Sequence, residues 1–161
     1  MKKFMIAVCV IVFSCPVFAD DVKEVQAFFN EYINAANSYS ENYFDYYTEN
    51  PTIIRVVEKK DGTKKVVKVP FERYKKEALL SGKLAKIRRY KNKYFNIKIT
   101  KLGKDYKIAA MRMPSTSDYK VSAYFIVEKD DTGKWKIKEE SMNTRVQIFL
   151  EQGWYIKKTT I

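Results

Sequence analysis

Carboxylates beside tyrosines are the side chains in this sequence whose types could move a proton. Asp45 lies in YFDYY, beside Tyr47, and Glu139 and Glu140 lie near the end of GKWKIKEESMN. The chain has no histidine, so general acid–base chemistry near neutral pH would require a buried Asp or Glu with a raised pKa. The alternative is structural: Asp45 is then a polar residue on the outer face of a short helix. One of the two glutamates then faces solvent, while the other pairs with Arg112 or a lysine.

The most distinctive stretch is basic and aromatic, KLAKIRRYKNKYFNIKITKLGKDYK over residues 83–107. We interpret residues 84–101 as a strand, in which alternate side chains share one face. Arginine with tyrosine suits phosphate or acidic sugar, because charge-assisted hydrogen bonds combine with cation–π contacts. The alternative is a solvated edge whose lysines prevent aggregation. The predicted ligand-binding residues are Lys86, Arg88, Arg89, Tyr90, Lys91, Tyr94 and Lys98, of which Lys86, Arg88, Tyr90, Tyr94 and Lys98 would share a face.

Metal and cofactor chemistry have little support in the sequence. Without histidine, and with both cysteines near the N-terminus, only oxygen ligands remain for a metal ion. Glu128, Asp130 and Asp131 surround a turn, but their spacing is not that of a calcium loop and lysines flank them. The sequence also has no glycine-rich phosphate loop and no nucleophile elbow. We therefore expect a solvated hairpin there, and neither a metal nor a cofactor.

The N-terminus has the pattern of a cleaved signal peptide. Lys2 and Lys3 precede an apolar run of about ten residues, and Val17-Phe18-Ala19 supplies small residues at the cleavage site. The run is too short to span a bilayer of about 30 Å as a helix. Residues 1–19 are thus predicted to be removed after Ala19, which places the protein in the periplasm or outside the cell. A lipoprotein signal ending at Cys15 is the alternative, although Phe13 fits it poorly.

Export would determine whether the mature chain can form disulfides and which binding partners it meets. Cys9 and Cys15 both lie in the removed segment, so the mature chain would have no disulfide. Without Lys2 and Lys3, the mature chain keeps 29 of the 31 Lys and Arg residues. Against 19 acidic residues, this gives a net charge of +10. Such a charge attracts anionic lipid, acidic glycan or an acidic protein partner. Export argues against nucleic acid as the usual partner, and a membrane contact would be at most peripheral.

The order of predicted elements is that of an α+β domain. Apolar residues at helical spacing predict a long helix over residues 21–37, and a short helix follows over residues 40–47. TIIRVVEKKDGTKKVVKVP predicts a hairpin that turns at Asp61-Gly62. PFERYKKEALLSG predicts a helix from Pro70 to Gly82. Four strands are predicted after it, over residues 84–101, 105–113, 119–129 and 134–143. No linker or repeat divides residues 20–161, so we expect one domain.

Three stretches resemble the NTF2-like (SnoaL-like) superfamily of cone-shaped domains. VQAFFNEYINAANSYSENYFDYYTENPTII is similar to its first helices and first strand, DGTKKVVKVPFERYKKEAL to its hairpin and next helix, and DTGKWKIKEESMN to its last hairpin and strand. The resemblance covers about residues 22–143 and rests on residue types, not on invariant motifs. It implies an α+β fold in which the N-terminal helices pack on a strongly bent antiparallel sheet.

The resemblance implies two kinds of function. Enzymes of the superfamily use a carboxylate or histidine with a tyrosine in the cone, and the residues here that match are Asp45, Tyr47 and Glu140. A small lyase or isomerase is therefore one hypothesis. The favoured hypothesis is a non-catalytic exported binding module for a protein partner or an anionic or amphipathic envelope ligand, because histidine is missing and the chain is basic.

The last residues form an extension to the family pattern, from about residue 144. Val146, Phe149 and Leu150 recur at helical spacing, although a continued strand through Ile148 fits almost as well. Residues 154–156 form a compact apolar cluster that should pack against something. The domain's own surface is one possibility, and a second copy in a homodimer is the other.

Overall fold

The computed structural model describes residues 17–151, which form an α+β domain. The elements in chain order are α1 (Val17–Asn37), a short 3-10 helix (Glu41–Tyr46), β1 (Tyr47–Glu58), β2 (Lys64–Val69), α2 (Phe71–Ile87), β3 (Asn92–Leu102), β4 (Asp105–Pro114), β5 (Val121–Lys129), β6 (Trp135–Thr144) and α3 (Ile148–Glu151). The predicted fold class and the β1–β2 hairpin are confirmed. At its turn Gly62 adopts a φ of 79°, a left-handed conformation that glycine reaches without strain.

The six strands form one sheet in the order β2-β1-β6-β5-β4-β3. Neighbouring strands are antiparallel except at β1 and β6, which run parallel and place Ile53 opposite Glu140. Helix α1 covers the inner face of the sheet through residues at i, i+3 and i+4 spacing: Val25, Phe28, Phe29 and Tyr32 are all buried. They pack against inward-facing residues of the sheet, among them Ile53, Ile108, Phe125 and Ile137. The core therefore lies between α1 and the sheet.

Helix α2 is longer than the sequence predicted. Gly82 does not end it; the helix continues to Ile87, so the predicted strand over residues 84–101 is wrong in its first part. A single glycine costs a helix only about 1 kcal/mol relative to alanine, and good helix formers follow it. The true end is a Schellman-type turn, in which the Tyr90 N–H donates to the Ala85 carbonyl at 2.8 Å. Arg89, with a φ of 51°, occupies the left-handed position where glycine is usual.

The alternation predicted along β3 is also wrong. Its register against β4 shifts between Phe95 and Lys98, and Asn96 has a φ of 52° within this bulge. Tyr94 pairs with Arg112, whereas Lys98 pairs with Ala109. A bulge adds a residue to one strand and so reverses which side chains face inward. The predicted common face for residues 86–98 therefore does not form.

The two ends of the chain are described only in part. The predicted signal segment lies mainly outside the described residues, and its last positions, 17–19, belong to α1. After β6 the chain forms the short helix α3, from which Phe149 and Leu150 pack against the core. The predicted apolar cluster at residues 154–156 lies outside the described part. No helix within residues 17–151 is long and apolar enough to cross a membrane.

Candidate functional site

A buried ion pair lies at the centre of the interior between α1 and the sheet. Glu140 on β6 is 0% exposed and Arg55 on β1 is 5% exposed. The Arg55 Nη2 atom donates to Glu140 Oε1 at 2.6 Å, and Nη1 donates to the Ile54 carbonyl at 2.9 Å. The pair forms because both residues occupy inward positions on adjacent parallel strands. Each charge lies away from water and is balanced by the other.

Two tyrosines bind the other oxygen of Glu140. The Tyr47 hydroxyl, at the start of β1, donates a hydrogen bond to Oε2. The Tyr32 hydroxyl, on α1, lies 2.9 Å from the Tyr47 oxygen and 3.3 Å from Oε2. Since a hydroxyl has one hydrogen, Tyr32 donates to one of these two oxygens at a time. Both oxygens of Glu140 thus have partners from the protein.

Aromatic rings enclose the remaining sides of this cluster. The Arg55 guanidinium carbon lies 5.1 Å from the ring centre of Tyr74 on α2 and 5.9 Å from that of Phe149 on α3. These cation–π contacts stabilise a guanidinium that has little water around it. Phe71 packs against Tyr47 with ring centres 5.3 Å apart. The start of α2 and the C-terminal helix therefore close the interior over the ion pair.

Burial shifts the acidities of the groups in this interior. Burial, followed by the charge of Glu140, raises the pKa of Tyr32 and of Tyr47 well above the usual value. For Arg55, burial is the largest single effect and lowers the pKa, but the interactions with Glu140, Tyr74 and Tyr47 together outweigh it and the pKa is raised overall. The tyrosines are therefore neutral hydrogen-bond donors, and the guanidinium keeps its charge.

The arrangement has only some of the features that acid–base catalysis needs. A carboxylate and a tyrosine hydroxyl do meet in an apolar interior, as the catalytic hypothesis required for Glu140 and Tyr47. However, both carboxylate oxygens already accept hydrogen bonds from the protein and Glu140 is fully buried, so a substrate could reach it only if the surrounding side chains moved. Two depressions, of about 670 Å³ and about 460 Å³, lie on the surface, and Glu140 lines neither. The geometry is that of a satisfied buried network.

The other predicted carboxylates lie outside this interior. Asp45 is exposed at the end of the 3-10 helix and borders the larger depression, together with Glu31 and Lys134. Glu139 is half-buried on the opposite face of the sheet, where it accepts a hydrogen bond of 2.7 Å from the Tyr124 hydroxyl. Burial and this bond raise the pKa of Tyr124 to about 12. Asp45 therefore does not join Tyr47 and Glu140 in one site, and Glu140 pairs with Arg55 instead of Arg112.

The predicted ligand-binding residues fall into three places. Lys86, Arg88, Arg89 and Lys91 are exposed around the end of α2 and the start of β3, a group that we call the basic turn. Tyr94 is half-buried against the core, with its ring centre 5.4 Å from that of Phe29. Lys98 is exposed and lines the smaller depression on the outer face of the sheet, with Lys107 and Tyr124.

Tyr90 has a structural role that fixes the basic turn. Its hydroxyl accepts a hydrogen bond of 2.7 Å from Arg112, and its carbonyl accepts one of 2.8 Å from the Tyr39 hydroxyl. Asn92 is tied to α1, because its N–H donates to the Asn37 side chain at 2.8 Å. These bonds hold the backbone on which the four cations of the basic turn lie. No ion pair joins any of the four to another described residue.

The acidic hairpin between β5 and β6 is a hydrogen-bonded turn. Asp130 Oδ1 accepts from the Thr132 N–H at 2.9 Å and from the Lys134 N–H at 3.0 Å. These interactions, with the Thr132 hydroxyl first among them, hold the pKa of Asp130 below its usual value. Glu128 pairs with Lys138 at 3.2 Å. Across residues 17–151 no group of three or more His, Cys, Asp or Glu residues could hold a metal ion.

Sequence reasoning identified Glu140 and Tyr47 but missed Arg55 and Tyr32. The signal for Arg55 was its position in TIIRVVE, where Ile53 and Val57 alternate with it on the buried face. A charge at an inward position requires a partner of opposite charge. Pairing it with Glu140 would have required the parallel contact of β1 and β6, which the local pattern does not reveal.

Comparison with known proteins identifies the fold. The sequence matches no protein-family model and no curated protein. Among solved structures, an NTF2-like protein of unknown function from Shewanella baltica is similar, with a TM-score of 0.57 and 11% identity over 78% of this chain and 94% of that one. An NTF2-like protein with a cystatin-like fold from Novosphingobium aromaticivorans gives a TM-score of 0.58 and 12% identity over 79% and 83%. A protein of unknown function with a cystatin-like fold from Nostoc punctiforme gives 0.53 and 11% over 78% and 91%. The chain therefore has the NTF2-like, cystatin-like fold that its sequence resembles.

Proposed function

We propose that this protein is an exported, non-catalytic binding module that recognises an anionic or amphipathic envelope component, or an acidic protein partner, through its basic turn. The observation that carries the proposal is the division of the molecule into a closed interior and a cationic surface. Glu140 is 0% exposed and both of its oxygens accept hydrogen bonds from the protein, whereas Lys86, Arg88, Arg89 and Lys91 have no acidic partner in the described residues.

The charge distribution along the sequence supports this surface. No acidic residue occurs between Glu77 and Asp105, a stretch that contains the whole basic turn. Acidic neighbours along the chain therefore do not neutralise its field, and the excess of positive charge attracts an anion to this edge. Arginine in particular binds phosphate and carboxylate through two parallel hydrogen bonds.

Export is part of the proposal and rests on residues 1–19. The basic start, the apolar run and the small residues at Val17 and Ala19 favour a cleaved signal peptide. In an envelope compartment the abundant polyanions are lipid headgroups and acidic glycans, and these fit a net charge of +10 better than a small metabolite does. Mass spectrometry of the protein from its native envelope tests this step: a mature N-terminus at Asp20 supports it, and retention of Met1 would overturn it.

The binding experiment uses two probes of different form. The mature chain is titrated with heparin, a polyanionic glycan, and with vesicles of phosphatidylcholine and phosphatidylglycerol at low salt. Charges near an anionic surface contribute about 1 kcal/mol each, so reversing Arg88→Glu and Lys91→Glu together should weaken binding at least about tenfold. Raising the salt concentration should weaken the wild type in the same direction.

A matched control separates a local site from a general charge effect. Lys60→Glu with Lys64→Glu, in and after the β1–β2 turn, changes the net charge equally at another exposed place. The proposal expects this control to bind within about twofold of the wild type at moderate salt. Equal weakening by both pairs, or no binding of the wild type to either probe, would contradict it.

A small lyase or isomerase is the second candidate function. The buried contact of Glu140 with the Tyr47 and Tyr32 hydroxyls favours it, since this is the pairing such chemistry uses. It requires that the interior opens to admit a substrate beside Glu140. NMR titration with small apolar carbonyl and phenol compounds tests this: saturable shifts of the Tyr32 and Tyr47 rings would support an enzyme, and their absence would leave the binding module.

A further inference from the structure

The second half of α2 leaves a row of large apolar side chains in water. Leu80 is 64% exposed, Leu84 is 56% exposed and Ile87 is 77% exposed, the three highest values among the exposed large hydrophobic residues. They follow each other at spacings of four and three residues, so they lie on one face of the helix. We call these three residues the apolar ridge. Phe71 and Tyr74, which pack against the core, lie on the opposite face.

The ridge is a feature that the fold does not require. No residue of α2 is buried, and its contact with the domain comes mainly from its first two turns, through Phe71 and Tyr74. A solvated helix needs no leucines on its outer side, and contiguous exposed apolar residues on a small protein mark an interaction surface. The ridge also directly adjoins the basic turn, because Ile87 is followed by Arg88 and Arg89.

The charges around the ridge identify the kind of surface that it fits. At about 100° per residue, Lys76 and Lys83 project beside the ridge on the side of Ile87, and Glu77 projects on the side of Leu84. Lys86, Arg88 and Arg89 are exposed at its end, and acidic residues are absent from the sequence after Glu77 until Asp105. Lysine and arginine can extend their charged ends upward while their stems rest on apolar surroundings. Apolar side chains whose charged neighbours are mainly cations complement an anionic bilayer surface.

We propose that the second half of α2 lies flat on an anionic lipid bilayer. In this arrangement Leu80, Leu84 and Ile87 enter the boundary between headgroups and acyl chains, and the basic turn contacts lipid phosphates. The inference rests on the proposed function and names its ligand as lipid instead of soluble glycan or protein. A second copy of the chain is a poorer occupant, because residues 20–161 have a net charge of +10, which opposes association between copies.

The test compares variants that change the ridge with variants that change other exposed apolar residues. Leu84→Gln with Ile87→Gln removes the apolar groups with a good helix former and leaves every charge in place. The control is Val66→Gln with Leu102→Gln, at residues 39% and 44% exposed elsewhere. Co-sedimentation uses vesicles of phosphatidylcholine and phosphatidylglycerol at 3:1 (on the order of physiological anionic content), and heparin binding is measured in parallel.

The expected result is at least a tenfold loss of vesicle affinity for the ridge variant, with heparin affinity and melting temperature unchanged. The control should bind vesicles as the wild type does. If the ridge variant binds vesicles normally while Arg88→Glu with Lys91→Glu does not, charge alone holds the protein, and the inference fails while the proposed function stands. If the wild type binds neither probe, both fail. A change of mass in solution caused by the ridge variant would make the ridge a contact between copies and would also overturn the inference.

A fluorescent label on α2 reports whether this helix enters the bilayer. Because Cys9 and Cys15 precede Asp20, the mature chain has no cysteine, and Leu84→Cys gives one labelling position. An environment-sensitive dye there should shift its emission to the blue on anionic vesicles, whereas the same dye at Leu102→Cys should not. Identical behaviour at both positions would contradict the flat orientation of α2.

Discussion

The buried pair of Arg55 and Glu140 allows a sharp test of how the interior is held together. Removing one partner of a buried pair leaves an uncompensated charge and costs about 3–5 kcal/mol. Arg55→Met and Glu140→Leu should each have this effect, since the two residues are 5% and 0% exposed. Glu140→Leu also removes the acceptor of the Tyr47 hydroxyl, at about 1 kcal/mol more. The double variant leaves no charge, and Tyr32 and Tyr47 still bond each other.

The magnitude in a melting experiment follows from domain size. For about 140 residues, 1 kcal/mol changes the melting temperature by about 4 °C. Arg55→Met should therefore melt about 12–20 °C below the wild type, Glu140→Leu about 16–24 °C below it, and the double variant within about 8 °C of the wild type. In a double-mutant cycle by urea unfolding, the coupling free energy should be about 3 kcal/mol or more, far beyond the ~0.5 kcal/mol expected for independent sites.

The assay has an outcome even where a single variant does not fold. A folded double variant beside an unfolded single variant would show the coupling directly. Two results would refute the reasoning: single variants that each cost under about 1 kcal/mol, or a double variant whose loss equals the sum of the two single losses. Lys136→Met, at a half-buried lysine that donates to the Asp45 carbonyl, is a control for removing a cation that has no buried acidic partner, and it should change stability little.

Three further predictions concern pH and the C-terminus. Burial raises the pKa of Tyr32, Tyr47, Tyr74 and Tyr94 in the folded state, so their contribution is complete below pH ~10 and is lost as pH rises above it. Absorbance of tyrosinate and circular dichroism should therefore change together above pH ~10, and tyrosine ionisation without unfolding would contradict this. A hydrogen bond from Lys129 holds the pKa of Asp21 and of Glu24 below their usual values. Lys129→Met should therefore raise both pKa values in an NMR titration of the carboxyl carbons. Unchanged pKa values would show that these contacts do not persist. Deleting residues 146–161 removes Phe149 and Leu150, which pack against the core. Because a fully buried apolar side chain contributes about 1.5–3 kcal/mol, the melting temperature should fall by several degrees. An unchanged melting temperature and an unchanged mass in solution would contradict packing of this segment.

The sequence predicted the elements well where periodicity was regular. Alternating residues in β5, such as Ala123, Phe125 and Val127, gave its inward face correctly, because nothing interrupts the alternation. The spacing of Val25, Phe29 and Tyr32 likewise placed the buried face of α1. Local pattern is sufficient for these elements, since one face of each is packed throughout.

The failures lie where the backbone departs from its regular period. Gly82 and the mixture of lysines with apolar residues after it resembled a strand, yet helix propensity continued α2 to Ile87. The bulge at Asn96 then reversed the faces of β3. Only some residues of the buried cluster were singled out from the sequence, for a different reason. Glu140 and Tyr47 are conspicuous as residue types, whereas Arg55 becomes their partner only through a contact between β1 and β6 more than 80 residues apart in the chain.

The central claim is that the closed interior is structural and that binding belongs to the basic surface. Vesicle binding of two variants measures this most directly: Arg55→Met with Glu140→Leu, which empties the interior of charge, and Arg88→Glu with Lys91→Glu, which reverses the surface. With both shown to be folded, we predict that the interior variant binds anionic vesicles as the wild type does and that the surface variant binds at least about tenfold more weakly. Loss of binding in the interior variant together with full binding in the surface variant would contradict the account.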